Sequence, residues 1–323
     1  SEISIRQASD ADAEIWDDFV ASLGSFYHRW GWKEIIACTY GHEAFYLLAE
    51  QDGEICGVLP LIDRRSALFG RALISVGFTV GGGVIATNES AKDELLKYAV
   101  CIGKARKSEY VELRSTDEIY SEWHSKTGVY DTFSTTLKND ESDRLQWIRR
   151  KKRADIRKAI NSAEQGSLQI RISDNYADFW REYAHAQRNH GTPVFPLKWL
   201  EKQKAVFGDD IELVIVQCEG QSLAGVINYY HRDTVHLYSS FISQQARQYH
   251  AGDYLCWWMM GHALKRGAKI FDLGRSKRGT GAHAYKTHWG FEPVPLHYQY
   301  RLLDTDEIPN INPNNPKFSI MSK

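Results

Sequence analysis

What this sequence lacks narrows it first. Its 323 residues hold five cysteines, an odd and scattered set (Cys38, Cys56, Cys101, Cys218, Cys256) with no C-x-x-C pair. That spacing argues against both a disulfide framework and a zinc site, and it implies a reducing compartment. Net charge is nearly absent: 40 Lys and Arg stand against 41 Asp and Glu. A global pull toward nucleic acid or an anionic membrane is excluded, so any such attraction must be local. The most apolar run, Tyr254 to Met260, is far too short to span a bilayer. The opening Ser1-Glu2-Ile3-Ser4 has neither the basic nor the apolar start of a secretory signal. The expectation is a cytoplasmic protein.

What is present is an ordinary globular composition, 43% hydrophobic and rich in Trp and Tyr, over a length that allows two domains with a core each. The chain also repeats itself. Ala49-Glu50-Gln51-Asp52-Gly53-Glu54-Ile55-Cys56-Gly57-Val58 resembles Val216-Gln217-Cys218-Glu219-Gly220-Gln221-Ser222-Leu223-Ala224-Gly225-Val226. In both, an acidic-Gly turn joins two apolar runs, which is a hairpin signature. Tyr110-Val111-Glu112-Leu113 likewise resembles Ile270-Phe271-Asp272-Leu273, each after a helix-like stretch: about 91–107, with Asn88 or Ser90 as cap, and about 252–266, stopping at Gly267. Two matches in one order predict a duplicated domain. Each half reads hairpin, strand, loop, helix, strand, an α/β plan with a mixed sheet. The junction is expected near residue 140, giving domains 1–140 and 141–305. A linking helix is expected over 143–165, capped by Ser142 or Asp143 and striped by Ile156, Ala159, Ile160 and Ala163. Residues 306–323, rich in Asn and Pro, read as an extended tail.

Candidate chemistry concentrates in the second half. Arg247 to Asp253 joins a strand (Thr234 to Phe241) to a helix start, where Gly252 permits close approach and free N–H groups can seat a phosphate or oxyanion. An ordinary helix start capped by Asp253 is the plain alternative. Downstream, Asp272 to Gly281 is a loop with three glycines and three cations, Arg275, Lys277 and Arg278, at the carboxyl end of a strand, where open α/β sheets bind ligands. A solvated basic loop is the alternative there. Seven cations fall within Arg149 to Lys158, which suits either a solvated face or contact with phosphates of tRNA, a lipid diphosphate or a membrane surface.

Ala251-Gly252-Asp253-Tyr254-Leu255, Phe271-Asp272-Leu273-Gly274-Arg275 and Tyr285-Lys286-Thr287-His288-Trp289-Gly290 together resemble the FemAB superfamily, tandem acetyltransferase-like (GNAT) domains. The likeness is closest to the FemAB-related proteins found with exosortase and exopolysaccharide loci. Phe26 to Trp32, Gly57 to Leu61, Gly81 to Val84 and Arg157-Lys158-Ala159 extend it over about residues 25–303. The resemblance implies two GNAT-like domains forming a pseudo-dimer. It further implies transfer of an acyl or aminoacyl group, from acyl-CoA or aminoacyl-tRNA, to an amine in cell-envelope or exopolysaccharide synthesis, with no prosthetic group and no metal.

On this reading the second domain holds the donor, through Arg247, Ala251, Gly252, Arg275 and Lys277. Lys286 would stabilise the developing oxyanion beside Tyr285, its ammonium projecting into the cleft, with His283, His288 or Asp272 as base. The first domain would face the acceptor near Arg64 and Arg65, and Arg150, Lys152 and Arg153 would meet phosphates, tRNA or the inner membrane face. A non-catalytic RNA-binding protein and a catalytically degenerate scaffold remain as alternatives. The sequence leaves oligomeric state unread.

Overall fold

The protein is described by a computed structural model over residues 2–115 and 120–310. It opens with β1 (Ile3–Gln7), α1 (Ala13–Leu23) and α2 (Gly31–Tyr40), then a meander of β2 (Glu43–Gln51), β3 (Glu54–Ser66) and β4 (Gly70–Ser75). The short β5 (Ile85–Ala86) precedes α3 (Glu89–Ala105), β6 (Tyr110–Leu113) and β7 (His124–Lys126). The second run is β8 (Tyr130–Thr136), α4 (Glu141–Trp147), α5 (Arg150–Glu164), β9 (Gln169–Ser173), α6 (Tyr176–Asn189) and α7 (Leu197–Phe207). A second meander follows, β10 (Ile211–Cys218), β11 (Gln221–His231) and β12 (Thr234–Ile242). The chain continues through α8 (Ala246–Tyr249), α9 (Ala251–Lys265), β13 (Ile270–Lys277), α10 (Gly281–Trp289), β14 (Val294–Pro295) and β15 (Tyr298–Leu302). Among the described residues no helix is long and apolar enough to cross a membrane.

The duplication is visible in the topology. One sheet runs β1-β2-β3-β4-β6-β15-β7 and the other β9-β10-β11-β12-β13-β8-β14. In each, an antiparallel meander is followed by a helix and then by a strand parallel to the last meander strand, β4 with β6 and β12 with β13. A parallel pair needs such a crossover, and α3 and α9 supply it. Both first hairpins turn on two residues with positive φ, Asp52-Gly53 and Glu219-Gly220, the backbone a two-residue turn of this kind requires. Glu112 is the third residue of β6 and Asp272 the third of β13; each sits on the third rung of its parallel ladder, opposite Ile74 and His236.

The unit boundaries shift from those expected. The chain divides after Tyr130 instead of near 140, and the segment from Pro295 returns to the first unit. The cause is pairing. β15, the last strand, lies antiparallel to β6, and the equivalent place beside β13 is filled by β8. Each sheet takes one strand from beyond its own repeat, so a linear cut near 140 falls within the second unit and one at 305 within the first. The expected tail is described only as far as Asn310; residues 311–323 lie outside the described residues.

The linking helix is two helices. Asp140 caps α4 by accepting from Asp143 N at 3.1 Å, ahead of the expected Ser142 or Asp143. The backbone is extended at Ile148 and Arg149 before α5 begins. Ile148 is buried in the core of the second unit, and Arg149 N donates to Trp289 O at 3.1 Å. Burying that isoleucine outweighs continuing the helix. Beyond the break the predicted stripe holds: Ile156 and Ala159 are buried, with Ile160 and Ala163 packed against the same core. Gly166 closes the segment with φ +80°.

Candidate functional site

The second unit opens where β12 leaves β13. The two pair over three rungs, Thr234 with Ile270, Val235 with Phe271 and His236 with Asp272. Two local features accompany the parting. On β12, Ile227 pairs with Ser239 but Asn228 with Leu237, so Tyr238 is the extra residue of a bulge, a device that bends a strand and re-aims its groups. On β13, Asp272 Oδ1 accepts from Gly274 N at 2.7 Å, and Gly274 has φ +68°. The turn needs a left-handed residue, which glycine adopts without penalty.

On the last rung Asp272 Oδ2 lies 2.7 Å from Nδ1 of His236. The carboxylate thus fixes the ring orientation and directs Nε2 away from itself. His236 was missed in the sequence because its significance comes from register, which puts it opposite Asp272 although 36 residues separate them.

Lys286 stands at the same parting from the other side. Its ammonium, expected to project into the cleft, is engaged within the unit. Nζ donates to the carbonyls of Leu273, Gly274 and Arg275 at 2.7, 3.2 and 3.2 Å and lies 5.4 Å from the Phe133 ring. Three N–H donors meet three successive carbonyls, so this lysine holds β13 in its departing path. Burial lowers its pKa to about 8, against a smaller upward pull from Asp272.

The helix start carries a different network. α9 begins after His250, in the left-handed region at φ +52°, and no side chain caps it. Asp253 is not the cap. It is buried, and its Oδ1 receives Lys152 Nζ at 2.7 Å and the Tyr285 hydroxyl at 2.9 Å. Burial pushes the Tyr285 phenol well above its ordinary pKa. Lys152, expected to meet phosphate, is therefore spent inside the unit. Asp155, His250 and Asp253 could converge on a metal ion, their ligand atoms lying within 4.8 Å of one another, but the Lys152 ammonium already supplies the positive charge at Asp253. Ala251 is buried, and Gly252 packs under the exposed Ile242, whose Cδ1 would lie 2.7 Å from an added Cβ. Arg247 is exposed on α8, and Arg275 and Lys277 are half-buried along β13.

The other base candidates fall elsewhere. His283 Nε2 lies 2.7 Å from Asp131 Oδ2, and Arg278 grips the same carboxylate through Nε and Nη2. Arg278 first, then His283, hold the Asp131 carboxyl below its usual pKa. Asp131, on β8, gave no sequence signal; it is buried by the strand brought next to β13. His288 is exposed on α10. Of the basic helix, Arg149, Arg150, Lys151, Arg157 and Lys158 are exposed, whereas Arg153 is half-buried.

In the first unit the corresponding parting is closed. β4 and β6 pair over four rungs, and Arg114 N adds a bond to Ser75 O at 3.2 Å. Gly82, at φ +150°, lies so close to the Ser75–Val76 peptide that a Cβ would stand 2.4 Å from it. Arg64 donates to Phe69 O and Tyr110, and Arg65 pairs with Asp63, which Arg106 shares. Both arginines are thus engaged within the unit.

Residues 150–287 match the family model described as an acetyltransferase (GNAT) domain. Among solved structures the chain is similar to FemX, with TM-score 0.72 and 16% identity over 93% of this chain and 98% of that one. It is also similar to a tandem GNAT protein from the clavulanic acid biosynthesis pathway, with TM-score 0.56 and 9% identity over 93% and 98%. The fold is two tandem GNAT-like domains. The chain is also similar to L-PGS from Bacillus licheniformis, with TM-score 0.59 and 12% identity over 98% of this chain and 96% of that one. No curated protein sequence matches. The matched stretch contains the whole parting of β12 and β13, and the expected fold of two tandem GNAT-like domains is borne out.

Proposed function

We propose that the second GNAT-like domain transfers an acyl group from a coenzyme A thioester to an amine. The observation that carries this reading is the His236–Asp272 pair on the last rung before β12 and β13 separate, within the stretch that matches an acetyltransferase domain. His236, oriented by Asp272, takes a proton from the acceptor amine. The nitrogen attacks the thioester carbonyl carbon, and main-chain N–H groups beside the Tyr238 bulge receive the oxyanion. The C–S bond then breaks, and the proton that His236 took from the amine passes to the departing thiolate, which leaves as the thiol. Arg247 and the first amides of α9 suit the donor's phosphates. The closed β4–β6 pair supports assigning the donor to the second domain and the acceptor to the first.

A coenzyme A donor is preferred over aminoacyl-tRNA because the matched description is that of an acetyltransferase. An amine of a cell-envelope or exopolysaccharide building block, acted on at the inner membrane face, is the finer reading that the FemAB resemblance carries. The exposed cations of α5 favour an acceptor or surface bearing phosphate. The test is coenzyme A release from a panel of acyl-CoAs with amine acceptors, alongside thermal shift. Stabilisation by acyl-CoA with turnover supports the reading; no stabilisation by any thioester, with stabilisation by RNA, would sink it in favour of an RNA-binding protein.

A further inference from the structure

The far half of α9 borders a second opening. A groove of about 520 Å³ lies between α9 and the α4–α5 pair. At 1.5 Å per residue, its Gly261 is roughly 14 Å along the helix from Gly252. Trp257 and Trp258 are among the residues that line it, and Trp258 stacks on His262 with ring centroids 4.4 Å apart.

Two features of this groove lack an internal explanation. The first is Gly261. A glycine inside a helix is less favourable than alanine, and here packing does not require it: an added Cβ would meet only Arg144 Nη2, at 3.6 Å. The missing side chain keeps the groove open. The second is Arg144, a groove-lining guanidinium only 9% exposed. Its Nη1 donates to the carbonyls of Lys138 and Asn139 at 3.0 and 2.7 Å, and it sits 5.6 Å from the Trp257 ring. Its Nε, closed off from solvent, has no partner, and among the described residues no carboxylate forms an ion pair with the guanidinium. A buried cation without a counter-charge is costly. Glu141, Glu164 and Lys265 also line the groove, all three exposed to water, so the buried charge in its lining is that of Arg144.

We propose that this groove binds a small planar aromatic carboxylate, its acid on Arg144 and its ring against Trp257 and Trp258. The carboxylate supplies the missing counter-ion and accepts from Nη2, the Arg144 nitrogen that faces Gly261, and the ring fills the space left by Gly261. This site goes beyond the transferase reading and stands or falls independently of it.

The test is calorimetric titration of the full chain with 1-naphthoate, and with 1-naphthamide as the neutral isostere, for the wild type and Gly261→Leu. Saturable naphthoate binding, at least tenfold weaker for the amide and for Gly261→Leu, is expected. Leucine is a better helix former than glycine, so the melting temperature of Gly261→Leu should be unchanged or higher. Arg144→Lys, with folding checked by circular dichroism, should also weaken naphthoate and leave naphthamide unaffected. Absence of saturable naphthoate binding overturns the proposal. So does equal affinity for acid and amide, binding that survives Gly261→Leu, or displacement of naphthoate by coenzyme A, which would put it at the β12–β13 parting.

Discussion

His236 and Asp272 face each other on the last rung of the β12–β13 ladder, Nδ1 to Oδ2 at 2.7 Å, and neither side chain is fully buried. A pair so placed orients an imidazole at the point where two parallel strands open. His236→Ala should lower turnover on the order of a hundredfold or more, the usual contribution of a general base, and added imidazole should restore part of it. Asp272→Asn should cost less, because the ring remains but its orientation is no longer fixed by charge. Full turnover in His236→Ala with an assayed acyl donor would remove the histidine from the chemistry.

Lys286 gives a prediction with a definite sign. Its pKa in the folded protein is about 8, below the ordinary 10.5, chiefly through burial. Between those values the unfolded chain binds more protons than the folded one, so this group makes stability rise as pH increases from about 8 toward 10.5. Lys286→Met should abolish that rise in a melting-temperature series, and a carbon-labelled lysine titration should show one resonance with its midpoint near 8. Asp272→Asn should move the midpoint lower, since that carboxylate raises it. Lys286→Ala leaves three carbonyls without their donor and should cost about 1–3 kcal/mol. A stability change near zero would return the residue to the role of a free surface cation.

How much of this was legible beforehand divides by range. Hairpin turns, the ends of α3 and α9, and the repeat itself are local patterns, so Asp52-Gly53, Asn88 and Gly267 announced them. The third-rung equivalence of Glu112 and Asp272 followed from the repeat alone. The rest depended on register and strand exchange, which leave no local mark. His236 mattered only once β12 was set against β13, and Asp131 only once β8 was seen beside β13. Lys152 read as one more cation in a basic run, because nothing in that run says which face meets Asp253.

Two glycines make opposite predictions. Gly82→Ala would press a Cβ against the Ser75–Val76 peptide at 2.4 Å, with φ +150° already unfavourable for any other residue. Main chain cannot swing aside, so this variant should lose several kcal/mol or fail to fold. At Gly252 the obstructing atom is the tip of Ile242, 2.7 Å away, on an exposed and rotatable side chain. Gly252→Ala should therefore melt near the wild-type temperature while raising KM for the acyl donor, because it crowds the start of α9. Comparable melting of both variants would contradict the packing described at Ser75.

The buried group around Asp253 separates a structural lysine from the solvated cations that share its helix. Lys152 and Asp253 are mostly shielded from water, 2.7 Å apart, with the Tyr285 hydroxyl on the same carboxylate oxygen. Breaking a buried pair by deleting one partner typically costs about 3–5 kcal/mol, since it strands the other charge. Lys152→Met should fall in that range, with a loss of several degrees in melting temperature. Arg150→Ala and Lys151→Ala, at exposed positions of the same turn, should stay within about 0.5 kcal/mol of wild type. The double variant Lys152→Met with Asp253→Asn should recover much of the single-variant loss, because no uncompensated charge remains; equal losses in the single and double variants would mean that the two residues are not coupled. If instead Lys152→Met melts like the wild type and weakens phosphate-dependent binding, the lysine faces ligand as the basic run first suggested, and the internal pair described here is wrong.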